Sequence, residues 1–138
     1  MKFKELPEEV EDYLDKYSLP DRQIEINNPE NIFCVVVIPS IAEYENIKRL
    51  LLSLIENDSF FFPSTLFLFV VNNLQSSPNE IKSENKNTIN LIKNILRQKE
   101  DDDFVNPVLK SGLRIGLVDA SSPGKELPEK DGGVGVAR

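Results

Sequence analysis

The sequence predicts an α/β fold, a βαβαβ unit whose strands form a parallel sheet with flanking helices. Three apolar runs, at residues 33–38, 65–71 and 113–119, have the length and composition of strands. The intervals between them carry apolar residues at helical spacing. Strands that alternate with helices build parallel sheets, and their crossovers run right-handed.

Each element has its own warrant. Leu6 to Tyr17 places apolar residues at 6, 10, 13, 14 and 17, with Pro7 where a first helical turn tolerates proline, and predicts a helix. After a turn at Asn27-Asn28-Pro29 comes "NIFCVVVIP", whose run Phe33 to Ile38 is apolar throughout. That pattern predicts a first strand covered on both faces, with Cys34 buried in it. "EYENIKRLLLSLIEND" sets Ile47, Leu50, Leu51, Leu54 and Ile55 on one stripe and is the strongest amphipathic helix of the chain. Phe60 to Phe62 read as core or subunit contact.

"TLFLFVV", Thr65 to Val71, is the second strand. The polar, non-periodic "NNLQSSPNEIKSENKNT" reads as a long mobile loop. "INLIKNILRQ" then gives a second helix through Ile89, Ile92, Ile95 and Leu96. An acidic turn, "KEDDD", precedes the third strand, "LRIGLVD", with Gly116 inside it. "ASSPGKELPEK" is a loop, and "GGVGVAR" has the look of a helix start. The chain divides into an N-terminal helical or extended segment, 1–31, and the α/β unit, 32–138.

Composition removes several chemistries. The 138 residues include no histidine, so imidazole bases, Ser-His-Asp or Cys-His nucleophiles and most zinc sites are excluded. A single cysteine allows no internal disulfide. The net charge of −7 argues against non-specific nucleic-acid binding. Residues 108–138 nevertheless hold five basic against four acidic side chains, so an anion is repelled least there. No apolar run reaches the ~20 residues of a transmembrane helix, no secretory signal is visible, and a cytoplasmic location is expected.

In open parallel sheets a ligand sits outside the carboxyl ends of the strands. Those ends are Pro39-Ser40, Asn72-Asn73 and Asp119. Here "VVVIPSIAEYENIKRLLLSL" resembles the opening of the family-two glycosyltransferases and their GT-A relatives: a buried strand ending in proline, a loop with a glutamate, and a helix beginning Glu-Asn-Ile. Pro39, Glu43, Glu45, Asn46 and Ile47 stand at matching positions. "FLFVVNNLQSS" is similar to the family's second strand, and "GGVGVAR" to the glycine-then-Ala-Arg start of its next helix.

The resemblance implies a partial GT-A fold, Rossmann-like, with a nucleotide-diphospho-sugar as partner. Pro39, Ser40, Glu43 and Asn72 would hold the base and ribose, Asn72 by accepting from a ring N–H. Ile41 occupies the position of the aromatic residue that commonly flanks the base. Gly132 and Gly133 would admit the diphosphate at a helix start, with Lys125 or Arg138 adding charge. Asn73 and Asp119 complete the set at the strand ends.

A complete enzyme of this kind uses a divalent cation, Mn or Mg, and an acceptor base. The resemblance puts both beyond residue 138, so the chain alone is expected to be inactive. Asp101 to Asp103 are a solvated turn and not the family's metal motif, because they precede the third strand. With a third-second-first strand order, the first strand lies on an open edge. It is expected to be covered by the N-terminal segment, by a second copy, or by further polypeptide. The alternative reading is a non-catalytic α/β module that works by protein contact.

Overall fold

The computed structural model describes residues 6–18 and 22–129. Its elements are helix α1 (Glu8–Tyr17), strands β1 (Glu25–Ile26) and β2 (Cys34–Ser40), helix α2 (Tyr44–Ile55), a 3-10 turn (Ser59–Ser64), strand β3 (Thr65–Asn72), helices α3 (Asn79–Leu96) and α4 (Val105–Ser111), and strand β4 (Arg114–Ala120). The four strands form one sheet in the order β1-β4-β3-β2. β2, β3 and β4 run parallel, and Ser40, Val71 and Asp119 lie on one line across them. The predicted α/β class is present, and the parallel strands stand in the third-second-first order that the open-edge expectation supposed.

The sheet is mixed and not purely parallel. β1 pairs antiparallel with β4, through Glu25 opposite Leu117 and Ile26 opposite Gly116. Two paired residues are too short a run for periodicity to reveal. This strand also decides what the N-terminal segment covers: it closes the outer edge of β4. Among the described residues, β2 pairs with β3 alone.

Both parallel crossovers step across the sheet in the same direction, from β2 to β3 and from β3 to β4. A right-handed crossover then puts every connecting helix on the same face. The main core lies under those helices: Ile47 and Leu51 of α2, Ile89, Ile92 and Ile95 of α3, and Val105 and Val108 of α4 pack on Phe69, Val71, Ile115 and Leu117. The opposite face has a smaller cluster, Leu66, Leu68 and Val70, with Ile26, Ile32 and Val118 against it.

The expectation that Phe33 to Ile38 is covered on both faces is corrected. Phe33 is 87% exposed, Val35 48% and Val37 40%, and Cys34 is exposed as well. Among the described residues the strand has one neighbour in the sheet. Phe60 and Phe61 are also exposed, while Phe62 is core.

The long loop predicted after β3 is corrected too. Only the stretch between Asn72 and Asn79 is loop, and the rest forms the first half of α3. That half turns Asn85 and Thr88 inward, both fully buried, so the periodicity of apolar residues is missing where the periodicity of burial is present. The acidic turn stands where predicted but opens α4: the Asp102 carboxylate accepts from the amides of Phe104 at 2.8 Å and Val105 at 3.1 Å. α4 ends at Gly112, whose φ of +76° suits a residue without Cβ. α1 forms as predicted, and none of its residues is buried.

Candidate functional site

The parallel strands end together, bringing Ser40, Asn72, Asn73 and Asp119 to one edge of the sheet. All four are buried. Because side chains alternate between faces, Ser40, Asn73 and Asp119 share the helix-bearing face with Val71, while Asn72 points to the other. Ser40 and Asp119 are two strand spacings apart, about 10 Å.

Asn85, which nothing in its polar surroundings singles out, joins these ends. Its amide donates to the carbonyl of Asn72 at 2.9 Å and to Asn73 Oδ1 at 3.0 Å, and its Oδ1 accepts from the Ala42 amide at 2.8 Å. Asn73 Oδ1 also accepts from the Ser121 hydroxyl. One side chain from α3 thus fixes the loops after β2 and β3, and through Asn73 the loop after β4. Ala42 has φ of +52°, in the left-handed region an alanine enters only at a cost. The bond to Asn85 holds it there.

The loop after β4 is pinned at both ends. Asp119 Oδ1 accepts from the amides of Ser121 at 3.0 Å and Ser122 at 2.9 Å. The Leu127 amide returns to the Asn73 carbonyl at 2.9 Å. Between them, Gly124 turns the chain at φ of +84° and donates to Glu126 Oε2 at 2.8 Å. Burial pushes the Asp119 carboxyl up. The hydroxyl and amide of Ser122, the amide of Ser121 and the charge of Lys125 outweigh it, so the group sits below the ordinary carboxylate value and is ionised at neutral pH.

Two buried polar atoms at this edge lack a hydrogen-bond partner among the described residues: Ser40 Oγ and Asp119 Oδ2. Lys125 Nζ approaches Asp119 Oδ2 to 3.8 Å. Asp119 and Lys125, with Gln23 and Glu25, line a cavity of about 260 Å³. On the other side of the same loop a cleft of about 480 Å³ lies between α3 and Ser121–Glu126.

The other sequence-predicted residues fall as follows. Pro39 and Ile41 are exposed beside buried Ser40. Glu43 is exposed at the N-cap of α2 and accepts from the Asn46 amide. Gly132, Gly133 and Arg138 lie outside the described residues. The structure therefore brings Ser40, Asn73, Asp119 and Lys125 to one edge and one face, and separates the Asn72 side chain from them. Among the described residues, no group of three or more Cys, Asp or Glu side chains is arranged to hold a metal ion.

Fold and site together define an α/β protein with a mixed four-stranded sheet and a polar carboxyl edge. No protein-family model matches the chain, and no curated protein or solved structure matches it either. No helix among the described residues is long and apolar enough to cross a membrane.

Proposed function

We propose that the carboxyl edge of the sheet binds the nucleoside end of a nucleotide-diphospho-sugar, as the donor-binding portion of a family-two-like glycosyltransferase. The observation that carries this reading is Asp119 Oδ2, a buried carboxylate oxygen with no hydrogen-bond donor among the described residues. A buried acceptor left unpaired costs about 1–3 kcal/mol. Lys125 at 3.8 Å balances the charge of this oxygen without filling its hydrogen-bond site, and a ligand that donates to it fills that site. The ring N–H of a uracil or guanine, or a ribose hydroxyl, is such a donor. Ser40, on the same face, offers a hydroxyl that can donate or accept. With the Asn72 amide on the other face, the acceptor role the resemblance gave to that position passes to Asp119.

Binding is all this reading assigns to the chain. Calorimetric titration with uridine and guanosine diphosphate sugars tests the proposal. Asp119→Asn keeps Oδ1 for the turn and converts the open acceptor to a donor. It should weaken binding by about tenfold or more, the scale of one buried charge-assisted bond. Equal affinity in both proteins would overturn the assignment.

A second reading rests on the β2 edge, where Phe33, Val35 and Val37 form an exposed apolar row beside a strand edge that has no pairing partner among the described residues. Such an edge suits strand pairing with another chain, and so a module that acts by protein contact.

A further inference from the structure

The cleft between α3 and the loop after β4 carries charge that the nucleotide reading does not use. Lys82, Lys86 and Lys93 line it. Their spacing of four and seven residues places them on one helix face. Glu80 and Glu84 of the same helix are not among its lining residues. The one acid in the cleft, Glu126, is held ionised: its own backbone amide and that of Gly124, with Lys82, keep it below the ordinary value.

The three lysines are not equivalent. Lys82 stands 3.6 Å from Glu126 and donates to the Gln75 carbonyl at 2.6 Å. Lys93 stands 3.9 Å from Glu25. Lys86 has no acidic partner among the described residues. With Glu126 beside Lys82 and Glu25 beside Lys93, three lysines leave the cleft with one net positive charge, that of Lys86, in a chain of net charge −7. A positive, walled cleft on an acidic molecule concentrates field for a small anion and offers too little surface for a polyanion.

We infer that this cleft is a binding site for a small phosphate ester, a ligand whose phosphate carries close to two negative charges at neutral pH. The phosphate faces Lys86 and Lys93, and Ile89 and Pro123 give the remainder of the molecule an apolar wall. A volume of about 480 Å³ is in the range of small-molecule sites. The loop that forms one wall is already held by the bonds at Asp119, Gly124 and Leu127, so the cleft needs little ordering on binding.

The test uses the full chain and amide NMR, with pyrophosphate and a sugar monophosphate as probes and the free sugar as control. Both phosphates should shift the amides of Ser122 and Lys86 at millimolar concentration, and the free sugar should not. Lys86→Gln, an exposed substitution that leaves the fold intact, should weaken binding about fivefold or more, the loss of one facing charge. Glu126→Gln should strengthen it, which a general effect on folding would not do. Absence of shifts at about 10 mM probe, far above a useful affinity, or unchanged affinity in both variants, overturns the inference. Ser40→Ala removes a hydroxyl that only the nucleotide reading uses and should leave pyrophosphate binding as it is, so failure of the nucleotide reading and failure of this one are separable.

Discussion

Asn85 and Asp119 show how much of the edge depends on single side chains. Asn85 is fully buried and makes three hydrogen bonds to two different loops. Asn85→Ala leaves the Ala42 amide and the Asn72 carbonyl without that partner, and should cost about 2–4 kcal/mol. The denaturant midpoint should fall at an unchanged slope. Asp119 answers to pH. Its folded-state pKa is below the ordinary 3.8, so the folded protein binds that proton more weakly than the unfolded chain does. The stability it contributes is complete above the ordinary value and is lost as pH falls through the folded one. Asp119→Asn should therefore be less stable near neutrality, with a shallower decline as pH falls below the ordinary carboxylate value; parallel acid curves would contradict this. The sequence marked Asp119 because it ends a strand. Asn85 left no such mark, because an asparagine in a polar stretch is indistinguishable from a solvated one until its helix is placed.

β2 and α3 are the elements on which sequence and structure differ most, for opposite reasons. β2 is apolar without being enclosed, since exposure depends on how many strands and helices reach it and not on its own residues. α3 is enclosed without being apolar in its first half, since Asn85 and Thr88 take inward positions there. The lysines at 82, 86 and 93 did hold a legible helical spacing, hidden by the absence of apolar partners. α4 was missed because seven residues give only one inward pair, Val105 and Val108. The open edge has a measurable consequence at this scale. Alternate β2 amides, those turned away from β3, should exchange with solvent far faster than the β3 amides, and the chain should associate as its concentration rises. Val35→Lys should suppress that association in sedimentation at a stability change within about 0.5 kcal/mol, as an edge charge at an exposed position does. Association that survives the lysine would place the contact elsewhere.

At the scale of the molecule, the alternation of strands and helices and the edge where the polar strand ends gather were legible from the succession of apolar runs, and the order of the strands was not. The direction in which β1 closes the sheet was not, because two residues decide it. One arrangement reaches further. Every helix that links the parallel strands is on one face because the chain has moved across the sheet in a single direction. Among the described residues β4 is bordered by the short β1, while the sheet has its long open edge at β2. A strand added there from the β4 end would reverse that direction, and its right-handed connection would lay a helix on the face now carrying Val35 and Val37. Reversal also makes a switch point: the connections on either side of β2 would part above its carboxyl end and open a crevice over Ser40. The unpaired hydroxyl at Ser40 lies where such a crevice would have its floor.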